Sequence, residues 1–86
     1  MKDNIKEIED SILNYLYENR TASPQSIAKI KLALNLGNGK GDIRVLKSSL
    51  ESLMKKRLIT KQAVRGNYKI ELTGIEFIEE NLKKEL

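Results

Sequence analysis

Apolar residues recur at Ile5, Ile8, Ile12, Tyr15 and Leu16 between Asp3 and Asn19, the spacing that lays one stripe along an α-helix. This predicts a first helix with Leu13 and Tyr17 off the stripe, on the outer side and without a place in the core it defines. Thr21-Ala22-Ser23-Pro24 then reads as a stop and a fresh start, because serine caps orphan amides and proline suits the first helical position. The second helix carries Ile27, Ala28, Ile30, Leu32 and Leu34 and fades into a loop at Gly37-Asn38-Gly39-Lys40-Gly41. Asp42 is the expected N-cap of a third helix, with Ile43, Leu46, Leu50, Leu53 and Met54 inside, Arg44, Ser48, Glu51 and Lys55 outside, and Lys47 at the flank of the outer face.

After Leu58 the period changes from helical to alternating, so that Ile59, Ala63, Ile70 and Leu72 face inward on paired strands. A two-residue turn at Gly66-Asn67 would set Ala63 opposite Ile70 and Gln62 opposite Glu71. Thr73 and Glu76 have capping-box spacing and predict a last helix with the stripe Ile75, Ile78, Leu82 and Leu86. Its four-residue pairs Glu79 with Lys83 and Glu80 with Lys84 stand in the favourable order, and Phe77 points away from the stripe. The expected fold is mainly α with a small β-hairpin, in the order helix, helix, helix, strand, strand, helix. It forms one domain over residues 1–86, since 86 residues cannot support two cores.

Composition narrows the chemistry. With 40% hydrophobic and 33% charged residues the chain has enough apolar material for a folded core. It has no cysteine and no histidine, which removes disulfides, thiolate metal sites, cysteine nucleophiles and the usual base near neutral pH. No nucleophile and base stand in a recognisable arrangement, so the expectation is no enzyme, no cofactor and no metal. The glycine loop fits neither nucleotide-binding fingerprint, as no strand precedes it and Gly39-Lys40 is followed by Gly41-Asp42. The sequence also holds no apolar run of signal-peptide or membrane-span length, and the expected location is the cytoplasm.

Three segments carry a resemblance that spans nearly the whole chain: Ser23-Pro24-Gln25-Ser26-Ile27-Ala28, Leu46 to Ile59 (LKSSLESLMKKRLI) and Tyr68 to Phe77 (YKIELTGIEF). They resemble the second helix, the recognition helix running into the first wing strand, and the strand-to-helix return of winged helix-turn-helix proteins, in particular small bacterial and archaeal regulators of the MarR and PadR kind. The resemblance implies a regulator of transcription whose third helix enters the major groove of double-stranded DNA while the hairpin touches the flanking backbone.

Charge bears on this independently. From Lys29 to Lys69 the chain holds 11 basic and two acidic residues, a net of +9, whereas the remainder is −5. The cations therefore gather in the elements that would face a polyanion. The candidate DNA contacts are Gln25 and Ser26 at the start of the second helix, Lys40, Arg44, Lys47, Ser48 and Lys55 on the third, and Lys61, Arg65 and Lys69 on the hairpin. Gln25 and Ser26 would hold a phosphate on free backbone amides. Arg44 would either bond a guanine in bidentate fashion or touch phosphate alone. Arg65 at the wing tip fits backbone or minor-groove contact.

Leu13, Tyr17 and Phe77 lie on the acidic terminal helices and have no partner in the expected core. They mark either the interface of a homodimer reading a two-fold site or extra packing between those helices. The competing function is a winged-helix module that holds a protein partner in a replication or transcription complex, because fold does not settle function. No small-molecule effector can be read from the sequence.

Overall fold

The computed structural model describes residues 4–37 and 39–82. Helix α1 (Asn4–Glu18), helix α2 (Ile27–Ala33) and helix α3 (Lys40–Lys55) are followed by strands β1 (Ile59–Lys61) and β2 (Tyr68–Ile70). Helix α4 (Leu72–Phe77) then runs directly into a five-residue π-helix, Ile78–Leu82. The fold is thus mainly helical with a two-stranded antiparallel hairpin, in the expected order.

The buried core joins Ile12, Leu13, Leu16 and Tyr17 of α1 to Ile30 of α2, to Leu46, Leu50 and Leu53 of α3, and to Ile59, Tyr68, Ile70 and Ile78. On α3 Leu46, Leu50, Leu53 and Met54 lie inward as the periodicity predicts, but Ile43, expected with them, borders the outer face instead, and α1 is turned differently. Leu13 and Tyr17 are only 1% and 8% exposed, whereas Ile5 is 40% exposed. The buried side also includes Glu9, whose Oε1 accepts a hydrogen bond from Lys56 Nζ at 3.0 Å. Helix α1 packs against α2, α3, β2, α4 and the π-helix, so it needs a broader buried arc than a one-sided stripe. The homodimer contact expected at Leu13 and Tyr17 is therefore corrected: both belong to the core of the single chain. Phe77 is half-buried and packs against that core.

Helix ends depart from the simplest reading for identifiable reasons. Ser26, not Ser23, is the N-cap of α2, its hydroxyl accepting from the Lys29 amide at 3.2 Å. Helix α3 starts two residues before Asp42, with Gly39 as N-cap. Asp42 instead sits in the first turn, where a carboxylate suits the helix dipole, and accepts from the Gly37 amide at 3.1 Å. Helices α2 and α3 both close with a left-handed residue, Asn35 (φ 60°) and Arg57 (φ 63°). Each closure makes the paired bonds of a Schellman motif: Leu36 N to Lys31 O and Asn35 N to Leu32 O, then Leu58 N to Leu53 O and Arg57 N to Met54 O, all at 3.0 Å. Thr73 does not cap α4; Glu71 holds that position, and the Thr73 hydroxyl donates to the Arg57 carbonyl. The expected pairs with Lys83 and Lys84, and Leu86 of the last stripe, lie outside the described residues.

The hairpin register also differs. Ile59 faces Ile70, Thr60 faces Lys69 and Lys61 faces Tyr68, a slip of four residues along β1 from the pairing of Ala63 with Ile70. A type I′ two-residue turn needs both central residues at positive φ, and in this loop only Gly66 (φ 73°) is there. The chain makes a wider loop, closed by Gly66 N to Gln62 O at 3.0 Å and Gln62 N to Asn67 O at 2.8 Å. Because four is an even shift, the inward face is preserved, and Ile59 replaces the smaller Ala63 in the core. A further bridge joins Gln25 to Tyr68, with reciprocal amide-to-carbonyl bonds of 2.8 Å, tying the connection between α1 and α2 to the hairpin.

Three outcomes follow from this packing. A Cβ on Gly74 would strike the Leu58 carbonyl oxygen and come within 2.7 Å of Ile70 Cγ1. Overpacking of this kind costs about 1–3 kcal/mol, against a helix-propensity gain of at most about 1 kcal/mol; Gly74→Ala is expected to lower stability in urea unfolding. Ser49 is fully buried in α3 and its hydroxyl lacks a hydrogen-bond partner among the described residues. Removing an unsatisfied buried hydroxyl relieves about 1–3 kcal/mol, so Ser49→Ala is expected to raise the urea midpoint.

The third concerns Tyr17, whose hydroxyl donates to Glu79 Oε2 at 3.0 Å. That bond, followed by burial, raises its pKa above the usual 10.0, with the Arg20 charge opposing. Folding favours the neutral phenol, so its contribution is complete below pH 10.0 and is lost as pH rises through the higher folded value. The stability difference between wild type and Tyr17→Phe, followed by thermal melts, should shrink as pH climbs past 10.0; a constant difference would contradict the assignment.

Candidate nucleic-acid interface

Burial of Leu46, Leu50 and Leu53 fixes the rotation of α3, and everything on its far side is exposed: Lys40, Arg44, Lys47, Ser48, Glu51 and Lys55. Lys40, Ile43, Arg44, Lys47, Ser48 and Glu51 line one shallow surface depression of about 490 Å³. The four α3 candidates other than Lys55 thus share a single patch, as spacings of three, four and seven residues require on a helix. Lys55 lies four residues beyond Glu51, in the last turn.

Helix stability does not account for the cations at the start of α3. Lys40 is the first residue of the helix, where a positive charge opposes the helix dipole by about 0.3–1 kcal/mol. Lys55, at the other end, complements the dipole. Among the described residues, no ion pair or hydrogen bond involves the side chains of Arg44, Lys47, Lys55, Arg65 or Lys69. Lys56 is engaged differently, since its ammonium neutralises buried Glu9.

The hairpin divides its cations. Lys69 pairs with Thr60 on the outward face, whereas Lys61 pairs with Tyr68 on the other, its Nζ 5.9 Å from the centroid of the Tyr68 ring. The structure therefore places these two lysines on opposite faces of the hairpin. Arg65 is exposed at the tip beside Val64, which is 94% exposed.

The structure corrects the expectation for Gln25. Gln25 is buried; its Oε1 accepts from Tyr15 Oη at 2.7 Å and its Nε2 donates to the Ser23 carbonyl at 2.6 Å. Its backbone amide is not free for a phosphate, being bonded to Tyr68 O. The Ser26 hydroxyl caps α2, which leaves the expectation for its backbone amide as it was. Polar residues before a helix look alike in sequence whether they serve a ligand or the chain, and Gln25 serves the chain.

Glu51 belongs to the patch but was not among the sequence candidates; its spacing of seven and three residues from Arg44 and Ser48 is the signal that places it there. Ile43, expected inside, borders the patch four residues from Lys47. Among the described residues there is no cluster of acidic side chains able to hold a metal ion, and no helix is long and apolar enough to cross a membrane. Comparison with protein-family models, with curated proteins and with solved structures finds no significant match.

Proposed function

We propose that this chain is a winged helix-turn-helix protein that binds double-stranded DNA and regulates transcription. The observation that carries the reading is the outer face of α3, where Lys40, Arg44, Lys47 and Ser48 line one exposed depression. A helix with its apolar stripe buried and its cations free has the width and the charge to enter the major groove, which admits an α-helix. Arg44 and Ser48 supply the donors for base edges, and Lys40, Lys47 and Lys55 those for phosphates. Arg65 and Lys69 on the wing add contacts to the flanking backbone. The proposal is built on one copy's surface, since Leu13 and Tyr17 lie inside the chain.

Titration of labelled duplexes, selected by the protein from a random library, tests the reading by fluorescence anisotropy. Log affinity should fall linearly with log salt, by about 0.9 for each phosphate neutralised. Arg44→Ala is expected to cost about 1–3 kcal/mol on the selected duplex, and Lys47→Ala to reduce the salt slope by about 1. Absence of duplex binding at low salt, or binding indifferent to both substitutions, would overturn the proposal; capture of an acidic protein in its place would assign the face to a protein partner.

A further inference from the structure

Glu51 is an anomaly on a face meant for a polyanion. It is exposed, it lines the same depression as Arg44, Lys47 and Ser48, and a carboxylate there is repelled by phosphates. Lys47 and Lys55 stand four residues to either side, the distance at which helical ion pairs form. The chain does form such a pair between Lys6 and Asp10 at 3.1 Å. Among the described residues Glu51 has no comparable partner, so its carboxylate is uncommitted and directed outward.

We propose that Glu51 is a specificity-determining residue that accepts a hydrogen bond from the exocyclic amine of a cytosine in the major groove. The inference rests on the DNA-binding reading above and deepens it. The major-groove edges offer two kinds of amine donor, N4 of cytosine and N6 of adenine. Adenine presents its amine beside the N7 acceptor, which repels a carboxylate, whereas the cytosine edge carries no second acceptor on the same base. Seven residues separate Arg44 from Glu51, about 10 Å along the helix axis, or roughly three base-pair steps at 3.4 Å each. With α3 lying along the groove, Arg44 and Glu51 read positions about three base pairs apart, and Ser48 falls between them. The carboxylate weakens contact with every duplex and penalises least the one that offers an amine, which is how a repulsive element creates specificity.

The experiment selects bound duplexes from a random library with wild type, Glu51→Gln, Glu51→Ala and Arg44→Ala, then measures affinities by anisotropy. Wild-type sites are expected to hold a cytosine about three base pairs from the position that Arg44→Ala relaxes. Glu51→Gln keeps the shape but can both donate and accept, so that position should shift toward adenine, with the wild-type preference for cytosine reduced roughly tenfold. Glu51→Ala should relax it without a new preference. If both Glu51 variants bind all duplexes more tightly with unchanged sequence preference, Glu51 merely repels phosphate and the inference fails while the DNA-binding reading stands. If wild type selects no duplex, both fall together.

Discussion

The packing of α3 against α1 is the contact on which the rest of the molecule depends. Leu46, Leu50 and Leu53 meet the buried side of α1 with less than a few per cent of their surface left to solvent, and each fully buried leucine contributes about 1.5–3 kcal/mol. Turning α3 by one residue, about 100°, would carry Lys47 toward the core and the leucines toward water. Burial of an unpaired cation is costlier still. The outward direction of Arg44, Lys47, Ser48 and Glu51 is therefore a consequence of the apolar stripe, and hydrophobic packing in the core sets the aim of the charges at the surface.

Helix α1 shows where a one-stripe reading of a sequence stops working. A periodic apolar set tells which residues are able to be inside, but the surroundings decide which of them are. Because α1 is covered by α3 on one side and by α4 and the π-helix on another, its buried arc is rotated by a little less than one residue's turn of about 100°. Leu13 and Tyr17 enter the core, and Ile5 is left partly outside. The signal that would have revealed this is Glu9, a charged residue on the buried arc, and it is unreadable without knowing that Lys56, 47 positions away, supplies the opposite charge. Long-range neutralisation leaves no local trace in a sequence.

The hairpin was legible in existence and in the inward facing of Ile59 and Ile70, but not in register, nor in its ends: Ala63 and Leu72, expected inward, are exposed, and Leu72 opens α4. Alternation fixes which residues point inward, and a slip by an even number of residues leaves that alternation intact; only loop geometry separates the candidates. With a single left-handed glycine in its loop, the chain closes through a helical turn and leaves Ala63, Val64 and Arg65 exposed. The same choice puts Ile59 against Ile70, burying more apolar surface than Ala63 would. The hairpin loop is thus longer than a tight turn would make it, and Arg65 is exposed in it.

The candidate site was readable where it depends on helical spacing and unreadable where it depends on who already holds a side chain. Charge clustering identified the cations of α3 and the hairpin, and the structure sorts them by commitment: Lys56, just past α3, is used by Glu9, Lys61 on β1 lies near the Tyr68 ring, and Arg44 and Lys47 remain unengaged among the described residues. Gln25 went the other way, because its two side-chain bonds and two backbone bonds join α1, the loop before α2 and the hairpin into one body. This anchoring matters to the proposed interface. A helix and a wing can address one duplex only if their relative position is fixed, and the Gln25–Tyr68 bridge with the Schellman closure at Arg57 holds the hairpin to the helices on both its strands. Gln25 thus bears on the proposed interface indirectly, by holding the hairpin to the helices.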